Sequence, residues 1–163
     1  MKVICEREGI LGKIEAYYAE GNNVWIYDGI SRGLYVLDLN TKKVEILLNP
    51  MQIHKNKRSR VRGIIKTKNR IVLVPQTISE YWIIYEIVNR DVKYIHFFDF
   101  PYQVGYVGQK NDTAYLVPLN TTEPIFMISL ENLKCIKKIE RWYPKKNKKD
   151  EIYECFAPSV GEE

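Results

Sequence analysis

Short apolar runs separated by polar turns follow one another along most of the chain. Runs such as Val24–Tyr27, Leu34–Leu39, Arg70–Val74 and Tyr81–Ile87 are rich in Val, Ile and Tyr and are bounded by Gly, Asn, Pro, Ser or Thr. Runs of about four to eight such residues between turn residues are typical of β-strands. Helical spacing of apolar residues is not sustained, and the best helical candidate is a short stretch near Lys148–Phe156. The pattern therefore predicts an all-β chain.

The strand pattern recurs three times along the sequence. Each recurrence contains an apolar strand, a polar loop, a second strand, a turn and a third strand, and the three begin at Asn22, Lys68 and Asn111. Their second strands close at Asp38, Glu86 and Ser129, which are 48 and 43 residues apart. A further short strand precedes each segment, so each repeat of about 45 residues has four strands, the size of one propeller blade.

A four-stranded unit of this period is expected to form one blade of a β-propeller. One such sheet cannot bury both of its faces alone, whereas sheets stacked face to face can. We expect a single repeat domain over 1–163, with antiparallel four-stranded blades at about 12–48, 61–97 and 103–141 and a tail at 142–163. The alternative is a β-sandwich or barrel. The repeats resemble Kelch-type and related galactose-oxidase-like propeller repeats, although the Gly-Gly doublet of Kelch repeats and the Gly-His and Trp-Asp motifs of WD repeats are absent.

Three blades raise the question of how the propeller closes. A propeller typically has about four to eight blades, and an open arc leaves an apolar sheet face bare at each end. Two copies of the chain could form a six-bladed ring, which is the arrangement that we expect. The chain could instead be the shortened remnant of a larger propeller, paired with a different protein. A third alternative is a closing sheet made from Lys2–Cys5 and Glu151–Phe156.

Charge is distributed unevenly along the chain. The sequence has 25 Lys or Arg and 20 Asp or Glu, for a formal net charge of +5. The segments His54–Arg70 and Lys137–Lys149 hold 15 of the basic residues and one acidic residue, so the remainder is acidic. These segments predict either an anionic ligand or a solvated linker surface. Nucleic acid is disfavoured as a partner because the body is acidic and no nucleic-acid-binding module is present.

Polar loop residues at equivalent positions of the three repeats form the predicted binding face. In an up-and-down sheet, the loops between the second and third strands emerge on the same side as the connections between sheets. A protein partner could dock there, or a sugar could stack on Tyr81 or Trp82 if these rings were exposed. Burial of the two rings between blades is what we expect. The candidates are Asp28, Arg32, Gln76, Glu80, Tyr81, Trp82, Asn120, Glu123, Lys57, Arg58 and Arg60.

Candidate catalytic chemistry is sparse in the sequence. His54 and His96 have no nucleophile in a suitable context, and Cys5, Cys135 and Cys155 lack metal-ligand spacing. Glycine-rich phosphate loops are absent. We therefore expect no enzymatic activity, no cofactor and no metal. The sequence shows neither a signal-peptide core nor a membrane-spanning run, so a cytoplasmic location is expected.

These observations predict a non-enzymatic scaffold that binds a protein or another ligand through loops on one face. The alternatives are a carbohydrate-binding, lectin-like propeller formed by two chains, and a shortened remnant of a larger propeller. Repeat architecture dictates how such a surface is built and leaves the identity of its ligand open.

Overall fold

Twelve β-strands make up the regular structure of the chain where the structure describes it. The structure is a computed structural model and describes residues 12–49, 60–77, 80–96 and 100–141. The strands are β1 (Ile14–Glu20), β2 (Asn23–Asp28), β3 (Gly33–Asp38), β4 (Val44–Leu48), β5 (Val61–Lys66), β6 (Arg70–Pro75), β7 (Trp82–Glu86), β8 (Val92–Ile95), β9 (Val104–Lys110), β10 (Thr113–Pro118), β11 (Ile125–Ser129) and β12 (Cys135–Ile139). Within these ranges there is no helix that could cross a bilayer.

The strands form three four-stranded antiparallel sheets in which spatial order follows sequence order. The first sheet is β1-β2-β3-β4, the second β5-β6-β7-β8 and the third β9-β10-β11-β12. This confirms the all-β prediction of three four-stranded blades, and it does not match the two packed sheets of a sandwich. The first strand of each sheet contacts the first strand of the next one: β1 contacts β5, and β5 contacts β9. The sheets are therefore stacked in sequence, and we call β1, β5 and β9 the innermost strands.

The turn between the third and fourth strands is the same in every sheet. Asp38, Glu86 and Ser129 each donate a backbone hydrogen bond across this turn, to the carbonyl oxygens of Lys43, Asp91 and Lys134. A residue with positive φ stands immediately before each acceptor: Lys42 (φ 60°), Arg90 (φ 60°) and Leu133 (φ 56°). The sequence repeat is therefore also a repeat of backbone conformation.

Two apolar clusters hold the three sheets together. We call the face of a sheet that is turned toward the next sheet in the sequence its forward face, and the opposite face its backward face. The first cluster joins the forward face of the first sheet, with Tyr27 and Leu34, to the backward face of the second, with Leu73 and Ile83. The second cluster joins Val74 and other forward residues of the second sheet to the backward face of the third, and its members include Trp82, Leu116 and Phe126.

Equivalent positions face the same way in all three sheets. Ile26, Leu73 and Leu116 align in the repeats and lie on backward faces, whereas Tyr27, Val74 and Val117 align and lie on forward faces. Because side chains alternate along a strand, a slip of one residue would exchange these two sets. The predicted end strands Lys2–Cys5 and Glu151–Phe156, the helical candidate Lys148–Phe156, and Lys57 and Arg58 lie outside the described residues.

Candidate interaction surface on the loop face

One end of the stacked sheets carries the polar loops singled out in the sequence. This loop face consists of the loops after β2, β6 and β10 and the chain entering β1, β5 and β9. Hydrogen bonds join neighbouring sheets here: the amide of Val61 donates to Oε2 of Glu15 (3.3 Å), and the amide of Val104 donates to the carbonyl of Gln76 (2.9 Å). The opposite end, which carries the two-strand turns, is called the turn face.

Asp28 holds the first loop in place and is closed to ligands. Its side chain is fully buried and accepts hydrogen bonds from the backbone amides of Gly12, Lys13 and Ser31. Burial alone would raise its pKa, but hydrogen bonds from the Ser31 side chain and from the three amides outweigh it, so the pKa lies below the ordinary range of Asp. Asp28 was a predicted binding residue, and the structure gives it a loop-closing role instead.

The two aromatic candidates of the second sheet are placed differently from each other. Trp82 is 4% exposed and belongs to the core between the second and third sheets. Its ring is thus unavailable as a sugar platform, and it is buried between blades as expected. Tyr81 lies at the loop face, with its ring centroid 4.0 Å from that of His96 and 6.4 Å from that of Tyr94. Tyr81 thus belongs to a small ring cluster beside the second loop.

The remaining polar candidates mainly shape their own loops. The backbone amide of Gln76 donates to the carbonyl of Arg60, a residue that is exposed at the same face. The Asn120 side chain accepts hydrogen bonds from the amide and hydroxyl of Thr122 and forms an exposed turn. Arg32 takes up a positive φ of 57° at the end of the first loop. These side chains belong to separate loops.

Exposed aliphatic side chains were missed by the sequence reasoning. Ile30 and Leu119 sit in the loops after β2 and β10 and are 69% and 51% exposed, and Ile14, at the entry to β1, is 53% exposed. Ile30 packs over Gly12, where any Cβ would lie 2.6 Å from its Cδ1. Strand periodicity gives no information about loop side chains, although an aliphatic residue in each of two equivalent polar loops was a visible signal.

Carboxylates surround a buried tyrosine between the first and second sheets on this face. Burial, together with Glu15, Asp28 and Glu80, raises the pKa of Tyr27 to about 12, against an opposing effect of Arg32. One carboxylate oxygen of Glu80 is buried and has no hydrogen-bond partner among the residues that the structure describes. At Tyr102, just before β9 of the third sheet, a side-chain hydrogen bond to Glu123 raises the pKa of the phenol. The loop face thus combines exposed aliphatic groups with carboxylates and arginines.

The turn face has a cavity of about 550 Å³ where the innermost strands of the three sheets end. It is lined by polar side chains that include Glu20, Lys66, Lys68, Gln109 and Asp112. Nζ of Lys66 forms an ion pair with Oε2 of Glu20 (2.6 Å). The side-chain amide of Gln109 accepts a hydrogen bond from the backbone amide of Lys66 and donates one to its carbonyl oxygen. These groups therefore tie the three sheets together, and those predicted candidates that the structure describes lie at the other end.

Comparison with solved structures shows the fold of the chain. A chain of a mitotic checkpoint complex superposes with a TM-score of 0.54 at 11% identity, covering 81% of this chain and 37% of that one. A structural genomics protein of unknown function from Bacteroides thetaiotaomicron superposes with a TM-score of 0.51 at 12% identity, covering 77% of this chain and 31% of that one. Both are propeller folds, so the three sheets are part of a β-propeller.

The chain spans about a third of the length of these two propeller chains. The likeness establishes propeller blades and does not single out Kelch-type repeats. No protein-family model and no curated protein sequence matches the chain.

Proposed function

We propose that this chain is a non-enzymatic propeller scaffold that binds a protein partner through its loop face. The observation that carries the proposal is the exposure of Ile14, Ile30 and Leu119 on that face, beside charged loop residues. Apolar anchors within a polar rim are the usual composition of a protein-binding surface. The propeller fold agrees with this role, since propellers present their loops on a rigid body.

A protein partner fits this surface better than a sugar. Sugar binding by the predicted route used the ring of Tyr81 or Trp82, and Trp82 is in the core while Tyr81 is half-buried against the rings of His96 and Tyr94. The most exposed apolar side chains on this face are aliphatic, and aliphatic side chains gain most from burial against another apolar surface. The carboxylates of Glu123 and Glu140 near Tyr102 would then orient the partner through basic side chains.

The proposal is tested by affinity capture with matched surface variants. Ile30→Asp and Leu119→Asp place a charge on the loop face, and Val88→Asp, at a residue that is 85% exposed on the turn face, is the matched control. All three positions are exposed, so the variants should fold with unchanged circular dichroism and unchanged thermal midpoints.

The expected result is a discrete polypeptide that the wild type and Val88→Asp retain and both loop-face variants lose. If all variants captured the polypeptide equally, the interaction would not involve the loop face and the proposal would be wrong. Capture of a glycan on an array, retained by Trp82→Phe and lost in Ile30→Asp, would replace the protein partner with a sugar.

A further inference from the structure

The turn-face cavity has a floor of half-buried side chains that hold one another in place. We call Lys66, Thr67 and Gln109 the floor of this cavity. Besides its ion pair with Glu20, Nζ of Lys66 lies 4.5 Å from the ring centroid of Trp25. Oγ1 of Thr67 accepts hydrogen bonds from two amides of its own turn, and Gln109 is fixed by the backbone of Lys66. The floor therefore keeps its shape without a ligand.

Four exposed side chains from all three sheets form the rim of the same cavity. Glu20 ends β1, Lys68 lies in the turn after β5, and Asn111 and Asp112 form the turn after β9. Oε1 of Glu20 and the polar side-chain atoms of the other three make no hydrogen bond or ion pair with any residue that the structure describes. The hydrogen-bonding capacity of the rim is therefore available to a ligand.

The charges of the lining favour a neutral ligand. Lys66 and Lys68 contribute two positive charges and Glu20 and Asp112 two negative ones, so the formal charge of the lining is 2 − 2 = 0. An ion of either sign would face both attraction and repulsion at this rim. Apart from Tyr18, every described lining residue is polar or charged, which disfavours an apolar ligand. A molecule with several hydroxyl groups fits, because each hydroxyl both donates and accepts a hydrogen bond.

Tyr18 adds an aromatic surface to this polar lining. Its ring is partly exposed and lies against that of Trp25, with 6.0 Å between the centroids. Burial and the carboxylate of Glu20 raise the pKa of the phenol, so its hydroxyl keeps its proton and can donate. A tyrosine thus offers an apolar ring face and a polar tip together. A sugar ring has the matching pair of surfaces, C–H groups and hydroxyl groups.

We propose that the turn-face cavity binds a neutral sugar of monosaccharide size. In this site Asp112 accepts hydrogen bonds from sugar hydroxyls, Asn111 donates and accepts them, and Lys68 donates to a sugar oxygen. The ring of Tyr18 packs against the C–H groups. The cavity volume of about 550 Å³ lies within the range of about 300–1,000 Å³ of small-molecule sites. This site and the loop face lie at opposite ends of the sheets, so either proposal can fail without the other.

The test is a titration of the isotope-labelled full chain, followed by the NMR shifts of its backbone amides. The probes are glucose, galactose, mannose and N-acetylglucosamine, with inorganic phosphate as the anionic comparison. Asp112→Asn removes a charge at nearly constant shape, and Asn111→Gly removes an amide while keeping a φ of 51° that glycine adopts freely. Glu131→Gln is the matched control, because Glu131 is exposed in the turn between β11 and β12 of the same sheet. Unchanged thermal midpoints establish that the variants are folded.

We expect at least one of these sugars to shift the amides of Lys68, Asn111 and Asp112, with a dissociation constant of about 1–10 mM. Asp112→Asn and Asn111→Gly should each raise the constant at least about threefold, and Glu131→Gln should leave it unchanged. The proposal is overturned if no sugar shifts these amides at about 50 mM. Phosphate binding without sugar binding, or equal constants for the wild type and both rim variants, would also overturn it.

Discussion

The close approach of β5 and β9 at Gly63 provides a quantitative test of how the sheets stack. Gly63 lies on the forward face of the second sheet, and its nearest non-local neighbours are all atoms of the Val107 side chain. Replacement by Ala would place Cβ 2.7 Å from Cγ2 and 3.0 Å from Cγ1 of Val107. Real Cβ atoms do not approach so closely, so the two innermost strands must move apart.

The change in the free energy of unfolding on Gly63→Ala results from two opposing effects. Overpacking a junction by one carbon costs about 1–3 kcal/mol. Replacing Gly by Ala restricts the unfolded chain and returns about 0.4–1 kcal/mol. We therefore expect Gly63→Ala to lower the free energy of unfolding by about 1–2 kcal/mol, a large share of the roughly 5–15 kcal/mol typical of a domain.

A double-mutant cycle with Val107→Gly tests the cause of this loss. Val107→Gly destabilises the protein by removing a partly buried side chain, and it also removes every atom that the new Cβ would strike. The double variant should therefore be more stable than the sum of the single losses predicts, by about 1–3 kcal/mol in urea unfolding. Additivity within about 0.5 kcal/mol would refute the stacking of β5 on β9.

Three further predictions concern single positions. Because hydrogen bonds hold the pKa of Asp28 below its ordinary value, its carboxylate should stabilise the fold above about pH 4 and lose that effect as the pH falls further. In a plot of the urea midpoint against pH, Asp28→Asn should therefore show a smaller fall on the acid side than the wild type, and an unchanged fall would contradict this. Trp82→Ala should cost about 3–5 kcal/mol by chemical unfolding, and a loss below about 1 kcal/mol would be inconsistent with a core position. Lys42→Gly should raise the thermal midpoint, because Lys42 has a φ of 60° that glycine adopts without strain, and a lowered midpoint would argue against this turn.

The strand order and the blade repeat were predictable because they depend on local pattern. Alternation within runs such as Arg70–Val74 identifies a strand, and recurrence of the turn after Asp38, Glu86 and Ser129 identifies the repeat. The conformation of that turn was not predictable, since Lys42, Arg90 and Leu133 take positive φ where glycine or asparagine is the usual choice. The conformation is fixed by the backbone hydrogen bonds across the turn, which different residue types can form equally well.

The end of the fold that carries the candidate loops was predictable, whereas the surroundings of single candidate residues were not. The topology allowed the loop face to be located, because strand direction alone decides where each loop emerges. Asp28 was misassigned, although an Asp-Gly pair at a turn is ordinary turn chemistry and was the signal for a structural role. The exposure of Trp82 and of Ile30 could be read only from the structure. Alternation along a strand shows which face a side chain points to, but it does not show whether another sheet covers that face.

The central claim is that the loop face binds a protein, and site-specific photo-crosslinking tests it most directly. A photoreactive residue is placed at Ile30 in one protein and at Val88, on the turn face, in another. Each is expressed in full length and irradiated in cells, and the adducts are resolved by mass. We predict a discrete adduct to another polypeptide from position 30 and none from position 88. Adducts from position 88 alone, or the same adducts from both positions, would contradict the account.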